Sequence, residues 1–131
     1  MDYQVKNILF LVTSGLTFWI LLVIYRENTS HDISFLRKIF TPNCNGWCIL
    51  HFMHYTLLSY FAPNFWKELI FMGIIFEVAE IYLNNLSKYI DSKLLEDTIT
   101  NTLGIIFGIL LFKKFPHKID IINTIKKLLS M

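Results

Sequence analysis

The sequence predicts an all-α, polytopic membrane protein with about four transmembrane helices and a C-terminal amphipathic helix, in a single domain over residues 1–131. Composition is the first reason: 54% of residues are hydrophobic, only 17% are charged and the mean hydropathy is +0.49, which is foreign to soluble globular domains. The second is the presence of four apolar stretches, residues 7–25, 47–62, 65–83 and 97–112, near the length needed to span a bilayer. The third is the tail, residues 118–129, which sets Ile119, Ile122, Ile125, Leu128 and Leu129 on one side and Asp120, Asn123, Lys126 and Lys127 elsewhere.

The first span carries no charge and is bracketed by Lys6 and Arg26. A cleaved signal peptide is the competing reading, but no small-x-small site follows and Arg26, Glu27 and Asn28 come directly after, so a retained span is expected. Residues 26–46 form the longest loop, with Pro42 and Asn-rich turn signals around a short amphipathic stretch, residues 33–40, suited to the interface. Pro63 and Asn64 end the second span in a tight turn, and the third follows at once, so an antiparallel hairpin is expected. A polar connector, residues 84–96 with Lys88, Asp91 and Lys93, leads into the fourth span, which Lys113, Lys114 and Pro116 close.

With four spans, both termini and the Pro63 turn share one side. That side holds Lys6, Lys67, Lys113, Lys114, Lys118, Lys126 and Lys127, against Arg26, Arg37, Lys38, Lys88 and Lys93 on the other. The positive-inside tendency then makes the termini cytoplasmic. The net charge of +2 implies no nucleic-acid partner. Cys44 and Cys48 are too few for a disulfide scaffold and lack the C-x-x-C spacing, so free thiols are expected; a zinc site with His51 is disfavoured because Cys44 precedes the helix. Nineteen Ile and ten Lys against two Ala point to an AT-rich genome, such as that of a low-GC bacterium or a large DNA virus.

Glu77 and Glu80 are the anomaly within this frame, because they sit inside the apolar run of residues 69–83. An ionisable group at the centre of a membrane helix costs at least about 2.5–3.5 kcal/mol, so intramembrane acids usually face a polar cavity and mark a site. Threading the spans brings His51 and His54, Glu77 and Glu80, and Asp97 and Asn101 to one depth on the side of the long loop. Each pair shares a helix face by its spacing. Tyr55, Tyr82 and Thr98 are candidate hydrogen-bond partners behind this layer, and Gly104 and Gly108 form a GxxxG that admits a close helix beneath it. Two carboxylates three residues apart need neutralising by a divalent cation (calcium, magnesium or manganese), by a shared proton, or by the histidines. The bland alternatives are hydrogen bonds that lock the bundle and, for Asp97, a first-turn acid favoured by the helix dipole.

These residues resemble a known family. Leu50-His51-Phe52 with Tyr55, Phe76-Glu77 with Glu80, and Asp97 with Asn101, Gly104 and Gly108 are similar to the VanZ-like integral membrane proteins, over residues 47–112. Glu80 stands where that pattern usually has Gln. Phe76-Glu77-Val78-Ala79-Glu80 and Gly104-Ile105 also look like the core of the base-exchange phosphatidylserine synthases, which are several times longer. The second resemblance implies Glu77, Glu80, Asp97 and Asn101 as ligands of a divalent cation and His51 as acid/base, with Glu77 and Glu80 in the catalytic group.

The expected function is therefore an integral, multi-pass membrane protein whose His/Glu/Asp/Asn pocket binds or modifies a phospholipid or lipid-linked head group. The alternative is a non-catalytic structural or assembly component of a viral or bacterial membrane, whose polar layer fixes helix packing. A homo-oligomer or larger membrane assembly fits either. A proton or ion pathway is disfavoured because the polar groups occupy one layer.

Overall fold

The computed structural model of the chain describes residues 1–29, 33–90 and 93–131, so Asp91 of the expected connector lies outside the described residues. The fold is 78% helical. Six α-helices are present among the described residues: α1 (Tyr3–Thr29), α2 (Ser34–Arg37), α3 (Gly46–Phe61), α4 (Trp66–Leu83), α5 (Leu94–Lys114) and α6 (Ile121–Leu129).

Helices α1 and α5 are long and apolar enough to cross a membrane, with mean hydropathies of 2.3 and 1.5 over their most apolar 18-residue windows. Helix α3 has only 16 residues, and the 18 residues of α4 include Lys67, Glu68, Glu77 and Glu80, so length and charge set these two apart. Large apolar side chains stand exposed along α1 and α5, among them Leu9, Phe18, Leu21, Leu103 and Leu110. Such an apolar surface is in keeping with helices able to cross a membrane.

Helix α1 extends beyond the expected residues 7–25 at both ends. At its C-terminal end Arg26, expected as a flanking charge, is buried, its guanidinium 4.5 Å from the Tyr89 ring centre and 5.4 Å from that of Trp47. Stacking on aromatic faces lets a guanidinium leave water at reduced cost. The Ser87 hydroxyl bonds the Glu27 carboxylate and accepts from the Tyr89 N–H, which draws residues 87–90 over the end of α1.

The long loop differs from the interfacial stretch expected over residues 33–40. One turn of helix, α2, is followed by an antiparallel hairpin of β1 (Ile39–Thr41) and β2 (Cys44–Asn45), turned at Pro42 and Asn43. The Asn45 side chain caps α3 by accepting from the Cys48 N–H at 3.2 Å. Cys44 and Cys48 are joined in a disulfide, which corrects the expectation of free thiols and removes the thiolates a zinc site would use. Gly46, the first residue of α3, lies against α2: a Cβ there would strike the Phe35 carbonyl, so only glycine admits the approach.

Helix α3 packs most extensively on α5. A Cβ on Gly104 would lie 2.6 Å from the Phe52 carbonyl oxygen, and one on Gly108 would overlap the Ser59 hydroxyl, so the GxxxG is the seam where the two backbones meet. Helices α3 and α4 run antiparallel across a 3-10 turn at Pro63–Phe65, as expected, with Tyr55 against Gly73 and His51 against Glu77. Tyr55, Leu58, Leu69 and Ile105 form the buried apolar centre.

At the opposite end Asn7 is fully buried. Its Nδ2 donates to the carbonyls of Phe61 (3.1 Å) and Ile119 (2.7 Å), and its Oδ1 accepts from the Ile121 N–H at 2.9 Å. Together with a Lys6–Asp120 ion pair at 3.3 Å, this fastens the start of α6 to α1. Leu128 and Leu129 at its far end remain exposed, in keeping with an amphipathic helix.

Candidate functional site

The polar layer assembles from three helices. Asn101 of α5 donates its Nδ2 to Glu77 Oε1 of α4 at 3.1 Å, and its Oδ1 lies 3.1 Å from His51 Nδ1 of α3. The same His51 nitrogen is 3.3 Å from Glu77 Oε1, an ion pair whenever the imidazole is protonated. An amide oxygen only accepts, so Nδ1 carries the hydrogen and the Nε2 of the neutral ring is left with its lone pair. Glu77 and Asn101 thus fix the tautomer and plane of His51, the arrangement by which carboxylates orient catalytic and metal-ligating histidines elsewhere.

Glu80 is buried one turn further along α4 from Glu77. Asp97 has the role of a first-turn acid: its Oδ2 accepts from the Lys93 N–H at 2.8 Å and holds the N-terminus of α5.

Five expected site residues, His51, Glu77, Glu80, Asp97 and Asn101, therefore gather at one end of the bundle. His54 does not join them. Its ring packs on Gly15 of α1 and edge-on to Tyr55, on the side of α3 that faces α1. Tyr82 is 76% exposed, and the buried Thr98 hydroxyl makes no hydrogen bond, so neither supports the layer. The Tyr55 hydroxyl sits beside Gly73 in the core.

A polar cavity of about 410 Å³ opens above the layer toward the long loop. His51, Glu80 and Asp97 lie among its walls, and Arg26, Arg37, Lys88 and Lys93 contribute four cationic side chains. Helix α1 supplies Arg26, α2 supplies Arg37, and the connector before α5 supplies the two lysines. The disulfide and Asn45 form part of the wall on the hairpin side. A second cavity of about 460 Å³, lined by apolar side chains of α1, α3 and α4, adjoins the first and shares Trp19, Trp47 and His51 with it.

Glu77, Glu80, Asp97 and Asn101, the ligand set implied for a cation, lie on α4 and α5. Only Glu80 and Asp97 face the polar cavity, and Asn101 turns its amide nitrogen toward Glu77. Among the described residues no three His, Cys, Asp or Glu side chains are grouped to hold a metal ion. Acidic and basic side chains share the cavity wall, Glu80 and Asp97 with Arg26, Arg37, Lys88 and Lys93.

Sequence reasoning missed the cationic wall and the disulfide. Arg26, Arg37, Lys88 and Lys93 read as ordinary flanking charges of the spans, and nothing in their spacing says that they converge. Trp47 beside the candidate histidine was the available signal, since an aromatic ring can carry a buried guanidinium.

The fold and site define a small helical protein with two helices apt for a membrane and a polar, cation-rimmed cavity over a buried His–Asn–Glu network. No protein-family model, no curated protein and no solved structure matches the chain.

Proposed function

We propose that this is a multi-pass membrane protein that binds a phosphate-bearing lipid head group in the polar cavity, with α3 and α4 completing a four-span bundle and His51 positioned to move a proton at the bound group. The observation that carries the reading is the pairing of four cationic side chains with an oriented histidine around one cavity at the end of the bundle. Guanidinium and ammonium groups are the usual partners of phosphate oxygens. The neutral ring's Nε2 lone pair fits a general base, and Glu77 stabilises the imidazolium that proton uptake creates.

Purified full-length protein should bind hexyl phosphate and not hexyl glucoside in calorimetry, and Arg26→Ala and Lys93→Ala should each weaken binding several-fold. Absence of phosphate binding by the wild type would sink the reading. Head-group turnover, if it follows, is expected to vanish in His51→Gln with binding preserved.

A second reading has its own support: Glu77 is wholly buried and tied to two other helices, so the network also fixes helix register. Glu77→Gln and Glu80→Gln separate the two roles, since lost assembly without any change in phosphate binding would favour a structural component.

A further inference from the structure

Resting on that reading, we infer that the adjoining apolar cavity holds the hydrocarbon chain of the same lipid, so that one amphiphile occupies both chambers with its phosphate-bearing end above His51. Three observations converge. The two cavities are neighbours, with Trp19, Trp47 and His51 in the walls of both. Their chemistry divides at those residues, from Arg26, Lys88 and Lys93 on one side to Val12, Leu50 and Leu58 on the other. The apolar chamber is also open sideways: Phe18, Met53 and Ile75 in its wall are 55%, 54% and 52% exposed, on the outer surface where a bilayer's chains would lie.

Each volume falls in the range of ligand sites. A helix from another protein could cover the apolar face, but it would not account for the cationic chamber that shares its wall. A Cβ at Gly15 would meet the His54 ring, so α1 and α3 lie close there, and the space beside that contact is lined by Trp19, which meets Phe76 edge-on at 5.6 Å. The two tryptophans form the collar at which the lipid would pass from apolar to polar surroundings, a position that suits indole rings.

The test measures binding of hexyl and dodecyl phosphate, both below micellar concentrations, to the full chain held in amphipol. Dodecyl phosphate should bind at least about tenfold more tightly, since burying methylene groups is the added interaction. Met53→Trp and Ile75→Phe, at the half-open wall where a larger side chain can be accommodated, should cut that preference to about threefold or less, the six-carbon chain of hexyl phosphate losing far less than the twelve-carbon one. Retained hexyl phosphate binding also shows that the variants are folded. Equal affinity of the wild type for the two chain lengths overturns the inference and leaves the head-group site standing. A preference that persists undiminished in both variants overturns it as well, placing the chain elsewhere. Failure of the wild type to bind either compound removes the head-group reading and this inference together.

Discussion

Asn7 and Asn101 do similar work at opposite ends of the bundle, each using both ends of its amide to tie separate chain segments together. Asn7 serves two carbonyls and one N–H, from the end of α3 and the start of α6. Asn7→Leu leaves all three unpartnered in a buried setting, where each unsatisfied group costs about 1–3 kcal/mol. A fall in thermal stability in detergent, with new proteolysis near residue 118, is expected; unchanged cleavage would show that α6 is held by other means. At Asn101 the expectation is coupling, because its Nδ2 and His51 both address Glu77 Oε1. In a double-mutant cycle Glu77→Gln and Asn101→Ala should interact by about 0.5–3 kcal/mol, whereas additive effects would mean that the contact contributes nothing.

The seam between α3 and α5 sets the element scale. The Cβ clash at Gly108 is with the Ser59 hydroxyl and the Thr56 carbonyl, whereas at Gly73 the nearest atom is the Tyr55 hydroxyl at 3.1 Å. Backbone cannot yield as a side-chain tip can. Gly108→Ala should therefore destabilise by about 1–3 kcal/mol and Gly73→Ala by distinctly less, as read by denaturant midpoints in mild detergent. Helix α6 offers a pH test. The Asn123 N–H and then the Lys6 ammonium hold the Asp120 carboxyl below the usual aspartate range. A depressed folded value means the stabilisation is complete above the unfolded aspartate pKa and is lost as pH falls through the lower folded one. Hydrogen exchange in residues 121–129 should accordingly rise only in strong acid, and Asp120→Asn should raise it at neutral pH and flatten the dependence.

For the whole molecule, orientation is the property to predict. Disulfides persist on the oxidising side of a membrane, and Cys44–Cys48 lies in the loop that also walls the polar cavity. The excess of lysine at the termini points the same way. Labelling of single cysteines in a Cys44→Ser/Cys48→Ser background, placed at Asn43 and at Lys118, is expected to find Asn43 outside and Lys118 inside; the reverse pattern would place the polar cavity on the cytoplasmic face.

How much of this was legible depended on range. Local periodicity and hydropathy marked α1, α3, α4 and α5 to within a few residues, because helix formation and apolar burial are written in neighbouring positions. The same spacing, carried through alternating spans, put His51, Glu77, Glu80, Asp97 and Asn101 at one depth. It could not place His54, whose direction depends on the rotation of α3 against α1, nor Arg26, whose burial depends on two rings brought from residues 47 and 89. By itself, then, the sequence determined a helical, membrane-apt chain with carboxylates too deep to be incidental, since length and polarity are local properties. Only the tertiary structure decided that one of those carboxylates, Glu77, orients a histidine with Asn101 beneath a cation-lined cavity and beside an apolar one, since convergence of side chains from α1, α2, α3, α4 and the connector is fixed by packing and leaves no periodic trace.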